Sequence, residues 1–192
     1  RRNPTGMPDA EASAQAEEYL QKCIENQDSA GGVVSCKVHG MPAGIGEPVF
    51  DKLDACLGQA VMSIGAVKAF AVGDGCEVSK KNGSTNNDAF CNVNGQISKK
   101  TNHAGGILGG ISDGSDIILR AYFKPSPSIY QKQQTVNQAG EEIEIQIKGR
   151  HDPIVVSRAV VVVEAMTAVT ILDELLRNMT SRLDGIKKFY HK

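Results

Sequence analysis

Apolar positions change period several times along the chain, and each change marks an element. From Pro8 to Asn26, Ala12, Ala16, Tyr19, Leu20 and Cys23 recur at three- and four-residue spacing, with Asp9 and Glu11 near the start. This predicts an amphipathic helix whose acidic first turn suits the helix dipole. After Gly31-Gly32 the period drops to two: Val34, Cys36 and Val38 alternate with Ser35, Lys37 and His39, as in a strand with one buried face. Met41 to Pro48 is turn-rich, and Phe50, Leu53, Leu57, Val61, Ile64 and Val67 then predict a long helix, interrupted or ended near Gly65.

From Gly73 to Thr101 the chain is rich in Asn, Gly, Ser and Lys, which predicts a long mobile polar loop; connections of that length are usually functional or mobile. Two strands follow, one with Ile117, Leu119, Ala121 and Phe123 alternating with Ile118, Arg120 and Tyr122, the other with Ile143, Ile145 and Ile147 alternating with Glu144 and Gln146. Ala159 to Val163 fits a strand or a first helical turn, whereas Ala165, Ala168, Val169, Leu172, Leu175, Leu176 and Met179 are helical in period. Helices and strands without regular βαβ alternation or internal repeats predict an α+β fold.

The 192 residues carry 21 Lys+Arg against 22 Asp+Glu, a net charge of −1. A chain of this size buries enough surface for a real core, and its charge creates no field that would recruit nucleic acid or an anionic membrane. The basic pairs Lys80-Lys81, Lys99-Lys100 and Lys187-Lys188 read as solvated surface. The run Ala159–Val163 is far shorter than the ~20 apolar residues that span a bilayer, so neither a nucleic-acid nor a membrane partner is expected. Cysteines 23, 36, 56, 76 and 91 are odd in number and widely spaced, and histidines 39, 103, 151 and 191 are scattered. That usage fits a reducing, cytoplasmic compartment without a disulfide framework or a protein-ligated metal. The opening Arg1-Arg2-Asn3-Pro4, with neither initiator methionine nor signal segment, leads us to expect a fragment of a longer protein.

Three segments could carry chemistry. Asn102 to Gly114 holds five glycines in ten residues, Gly105 to Gly114, where positive φ and absent side chains let backbone N–H groups approach an anion or a flat ring; tight turns at strand ends explain the composition equally well. Within it, Gly110-Ile111-Ser112-Asp113-Gly114 fits a hydrolase nucleophile elbow, but a strand rather than a helix is expected after the serine, so a hydrolase is disfavoured. No dinucleotide fingerprint or Walker loop is present. Lys124-Pro125-Ser126-Pro127-Ser128-Ile129 ends a strand with one ammonium and two hydroxyls on a stiff backbone, suited to a phosphate or a ring carbonyl, with an ordinary Pro-rich turn as the alternative. Lys148-Gly149-Arg150-His151-Asp152-Pro153 concentrates four ionisable groups in five residues, and is the strongest candidate. If buried, Arg150 could chelate a carboxylate or phosphate and hold Asp152 ionised, the alternative being a salt-bridged surface turn.

Taken in order, Pro42 to Ala55, Met62 to Lys68, Gly73-Asp74-Gly75, Thr101 to Ser112, Lys124 to Ile129 and Gly149 to Pro153 resemble the chorismate synthase family. The match runs from about Gly31 to Leu176 and is read as the C-terminal part of a single chorismate synthase domain, residues 1–192, with the N-terminal part absent. The resemblance implies a β-α-β sandwich, helices packed between antiparallel sheets, and a homotetramer. It implies a cytoplasmic carbon–oxygen lyase of the shikimate pathway that serves aromatic amino acid biosynthesis. Its reaction is the anti-1,4-elimination of phosphate from 5-enolpyruvylshikimate 3-phosphate, giving chorismate with reduced FMN and no net redox change, and NADP enters as a candidate electron source for the flavoprotein. By matching positions, Gly65, Ala66, Gly109, Lys124, Pro125, Ser126, Pro127, Ser128 and Arg150 would line the FMN site, with Lys124 and Arg150 meeting the anionic flavin and Arg150 also the substrate. Asp152 would manage the flavin N5 proton.

Some positions depart from the family. Val67-Lys68-Ala69-Phe70-Ala71 stands where Val-Lys-Gly-Val-Glu is usual, and Cys76 stands where phenylalanine is usual. The family's Thr-x-Gly-Glu-Ser-His-Gly motif, its arginine-rich loop and its two proposed acid histidines match nothing in the chain, so poor activity is expected of these residues alone. A non-catalytic flavin- or phosphate-binding module that keeps only the cofactor cradle is the competing reading, and an assembly scaffold a third.

Overall fold

The structure, a computed structural model, describes residues 5–149 and 152–190. Along the chain run α1 (Ala10–Glu25), β1 (Gly32–Val38), α2 (Leu53–Met62), β2 (Val67–Val72), a 3-10 helix (Gly75–Lys80), α3 (Gly83–Asn86), β3 (Phe90–Val93) and β4 (Gln96–Lys99). Then come β5 (Ile107–Leu108), β6 (Ile111–Ser112), β7 (Ile117–Phe123), β8 (Lys132–Val136), β9 (Glu142–Gln146), α4 (Val156–Asn178) and α5 (Leu183–Tyr190). The mixture of helices with antiparallel strands is the expected α+β class.

β7 lies between β1 and β2 in an antiparallel sheet of order β1-β7-β2. Its alternation is strict: Ile117, Leu119, Ala121 and Phe123 are buried on one face. α2 and α4 cover that face, α2 through Leu53, Leu57 and Val61 at four-residue spacing, α4 through Ala159, Val163 and Ile171. Gly32 lets α4 seat on β1, because a Cβ there would lie 3.0 Å from Val156 Cγ2. Ala159–Val163 is thus helix, not strand. The outward side of α4 still carries Val162, Val169, Leu172 and Leu176 at helical spacing, with Met179 at its C-cap, all exposed.

The helix expected from Phe50 to Val67 is shorter at both ends. Phe50 is 88% exposed, and the helix begins at Leu53 because the Leu53 N–H, an orphan of the first turn, donates to the Gly110 carbonyl at 2.8 Å. It stops at Met62; Ala66, at φ +70°, then turns the chain back so that Val67 opens β2 with its side chain in the core. Residues 73–101 hold the 3-10 helix, α3 and the β3–β4 hairpin in place of a structureless loop. Asn94 and Gly95, both at positive φ, form the primed turn a two-residue hairpin needs. Among the described residues no helix is long and apolar enough to cross a membrane.

Candidate functional site

The two ends of α2 organise the segments singled out above. At its C-terminal end the Ala66 carbonyl accepts the Lys124 backbone N–H at 2.9 Å, so the Gly65-Ala66 turn lies beside the point where β7 runs into Lys124-Pro125-Ser126-Pro127-Ser128. That segment is fixed through its backbone: Ser29 Oγ donates to the Ser126 carbonyl at 2.7 Å and Gln133 Nε2 to the Pro127 carbonyl at 3.0 Å. The side chains remain available, with Lys124 exposed and Ser126 and Ser128 half-buried.

Ser128 meets Asp152 across a hollow of about 100 Å³ that Ser29, Tyr130 and Pro153 also line. The Asp152 side chain is 37% exposed and ion-paired with Arg158 Nη1 at 2.7 Å, so this carboxylate is not itself buried. Arg150, expected to be the partner of Asp152, lies outside the described residues.

Gly109 stands at the other end of α2. With Gly110 it makes the β5–β6 turn at φ +60° and +87°, and it is the Gly110 carbonyl that receives the first N–H of α2. The 10 residues of α2, about 15 Å of helix, run between the two groups. The structure therefore brings Ala66 to Lys124 and Ser128 to Asp152, and leaves Gly109 a helix length away.

Ser112 is no nucleophile. It is 3% exposed, its Oγ donates to the Pro42 carbonyl at 2.6 Å and accepts from the Ile45 N–H at 2.9 Å, and its backbone pairs with Gly44 and Ile45. With both hydroxyl roles committed, Ser112 fastens the glycine turn to the 42–48 segment. The thiols are equally unsuited to attack at Cys36 and Cys56: burial pushes both up, Cys56 to about 11 with Glu174 adding to the shift.

The start of the glycine-rich segment is gripped by carboxylates from 73–101. Asp88 accepts the backbone N–H groups of His103 and Ala104 at 2.7 and 3.0 Å and the Thr101 hydroxyl at 2.6 Å. Asp74 pairs with Lys81 and with His103 Nδ1, the latter at 2.7 Å. The Lys81 ammonium is the main cause of a lowered Asp74 carboxyl. Burial pushes the Asp88 carboxyl up, but the hydrogen bonds from Thr101, Ala104 and His103 outweigh it and leave it lowered. Depressed folded-state values mean that, as pH falls, the unfolded chain takes up protons first. The stability these groups contribute is whole above the ordinary carboxylate value of about 4 and is lost as pH falls from there through their lowered folded-state values. The protection of the 102–106 amides, taken relative to their intrinsic exchange rates at each pH, should fall between pH 5 and 3 while that of the β7 amides holds. In Asp88→Asn that pH dependence should flatten; an Asp88→Asn profile equal to wild type would remove Asp88 from the account.

A family model described as chorismate synthase matches residues 1–176. The chain belongs to the chorismate synthase family. It is 62% identical over 191 residues to the chorismate synthase of Lachnoclostridium phytofermentans, covering 99% of this chain and 52% of that protein. It is 57% identical over 190 residues to the chorismate synthase of Agathobacter rectalis, again covering 99% and 52%. A crystal structure of chorismate synthase superposes with a TM-score of 0.74 at 27% identity, covering 95% of this chain and 48% of that one. The chain thus spans about half the length of the chorismate synthases it matches.

Sequence reasoning missed Arg158, Asp88 and the hub at Ser112. Arg158 sits six positions beyond Asp152, across a helix start that periodicity had not fixed. Asp88 and Ser112 act on backbone groups 15 and 67 or more residues distant, and no local motif announces such bonds.

Proposed function

We propose that this chain is the flavin-facing portion of a chorismate synthase, a lyase that eliminates phosphate from 5-enolpyruvylshikimate 3-phosphate to give chorismate. The observation that carries the reading is the match to the chorismate synthase family over residues 1–176, which spans every candidate segment. Reduced FMN would be the cofactor, and the residues suit it. One exposed ammonium, two hydroxyls on a segment stiffened by two prolines, and a glycine turn with open space beside Gly109 offer charge, hydrogen bonds and room for a flat anionic ring. When bound, reduced FMN supplies transient electron density to the elimination and recovers it without net redox change.

The residues have separate tasks in this reading. Lys124 contributes positive charge towards flavin or substrate phosphate, Ser126 and Ser128 donate hydrogen bonds, and Gly65, Ala66, Pro125, Pro127 and Gly109 shape the walls. Asp152 would manage the flavin N5 proton, with Arg158 orienting its carboxylate through the ion pair of the structure. Arg150 adds the second positive charge for flavin and substrate. The homotetramer, the cytoplasmic location and NADP belong to the same reading and stand on the family alone. A further sheet over the exposed α4 stripe would complete the layering of helices between sheets.

Titrating FMN into the chain and following its fluorescence tests this. Lys124→Ala should weaken binding about tenfold, equivalent to about 1.4 kcal/mol, and Asp152→Asn should leave affinity within about threefold, since its role is protonic. No quenching by wild type, or a Lys124→Ala chain that binds as wild type does, would reject the assignment. A chain that binds FMN but supports no turnover, even within a full-length chorismate synthase framework, would favour the cofactor-binding module.

A further inference from the structure

The β3–β4 hairpin has almost nothing apolar to hold it. Phe90, Val93 and Ile97 are exposed, and neither strand contributes a buried apolar side chain. A hollow of about 490 Å³ lies between it and the glycine-rich segment, with Lys99 and Asp113 themselves in its wall beside Ser98, Thr101, Asn102 and Gly114. Yet Lys99, at the end of β4, pairs with Asp113 in the one ion pair among the described residues in which both side chains are at most a tenth exposed, 5% and 10%.

Each partner is tied further. The Lys99 ammonium also lies 5.6 Å from the centroid of the Phe90 ring, across the hairpin. Asp113 directly follows the Ser112 hub; its Oδ1 accepts the Ser115 N–H at 2.9 Å, and its own N–H donates to the Gly106 carbonyl at 3.0 Å. At the other foot of the hairpin, Asp88 grips His103 and Ala104, and the Lys100 N–H donates to the Ala89 carbonyl at 2.9 Å. The hairpin is therefore fastened at both feet to the segment that presents Gly109. Burying two charges carries a desolvation penalty that a well-packed apolar pair would avoid, so such a pair is better suited to fixing one arrangement than to adding stability.

We propose that Lys99 and Asp113 are positioning residues for the Gly109 turn: their buried pair straps the β3–β4 hairpin across the glycine-rich segment and holds that turn in the shape flavin binding requires. The inference rests on the reading of Gly109 as flavin-facing. It goes further in assigning the hairpin a task and in naming the two side chains that perform it. Neither touches flavin; both act through the backbone of 106–113.

Cys91, half-buried in β3, and Cys23, buried in α1, provide a built-in readout. Alkylation of the intact chain, quantified peptide by peptide, is combined with the FMN titration for wild type, Lys99→Met, Asp113→Asn and Lys99→Arg. Lys99→Met and Asp113→Asn should raise the Cys91 labelling rate at least tenfold with Cys23 unchanged, and weaken FMN about tenfold. Lys99→Arg, which keeps the cation, should stay within about threefold of wild type on both measures. Unchanged Cys91 labelling would overturn the strap, and Cys91 and Cys23 rising together would show general unfolding instead. Selective Cys91 exposure with unaltered FMN affinity would overturn the positioning role. A wild type that binds no FMN would instead mark failure of the underlying reading, a pattern distinct from all of these.

Discussion

Gly73→Ala should lower the stability of the chain by about 3 kcal/mol, the joint cost of a non-glycine residue at positive φ and of overpacking against immovable backbone. Gly73 has φ +57°, and a Cβ there would stand 2.0 Å from the His103 carbonyl oxygen and 2.7 Å from the Gly105 nitrogen. The approach is mutual, since a Cβ on Gly105 would stand 2.3 Å from the Gly73 nitrogen. No rotamer relieves such a contact, because both sides are main chain. The sheet end must open, losing the Asp74 N–H bond to the His103 carbonyl and the Gly73 N–H bond to the Ile118 carbonyl, both 2.9 Å. A urea midpoint lowered by about 1.5 M at an unchanged slope is the expected result. A shift below about 0.3 M would mean that the crossing of the Gly73 and Gly105 backbones is not as close as described. Gly65→Ala is the internal control: nothing lies within 4 Å of its Cβ position and its φ is not positive, so it should be nearly neutral.

This crossing also shows where the sequence is legible. Gly73-Asp74-Gly75 and the glycines after Asn102 are visible as turn formers, but that two of them must meet backbone to backbone depends on β2 pairing with β7, and β2 was not foreseen. Val67, Ala69, Phe70, Ala71 and Val72 continue an apolar run without alternation, and Val67 falls in phase with the helical repeat of Leu53, Leu57 and Val61. Periodicity alone cannot separate a short buried strand from a helix end. The strand becomes explicable once Ala66, at positive φ, is seen to reverse the chain. β7, by contrast, is readable in full because one of its faces is covered by helices and the other is not. The β3–β4 hairpin carried a turn signal in Asn94-Gly95, but its strands are polar, and the bonds that hold it come from Asp88 and Lys99 rather than from an apolar face. The candidate site divides in the same way. Its chemical types, a lysine, two serines, a carboxylate and glycines, follow from order and motif, whereas the pairing of Asp152 with Arg158 and the spacing imposed by α2 require the fold.

That spacing makes α2 the element whose loss matters most to the proposed site. Leu57 is fully buried at the middle of the helix, between Leu53 and Val61 and in the same core cluster as Leu119 and Ala121 of β7. Leu57→Ala removes the transfer energy of a buried branched side chain and leaves a cavity that a helix clamped between α4 and the sheet cannot close. The expected loss is about 3 kcal/mol, within the usual range for such sites. Met62, exposed at the last turn of the same helix, sets the scale: Met62→Ala should cost no more than about 0.5 kcal/mol. The two variants separate stability from geometry. The Gly110 carbonyl bond to the Leu53 N–H and the Ala66 carbonyl bond to the Lys124 N–H lie at opposite ends of the helix. A loosened α2 therefore lets the Gly109 turn and the Lys124 segment move relative to each other even while the chain stays folded. Leu57→Ala should accordingly weaken FMN binding below its unfolding transition, and Met62→Ala should not. If Leu57→Ala loses about 3 kcal/mol of stability yet binds FMN as wild type does, α2 is a core helix only, and the two ends of the cradle are held in register by something else.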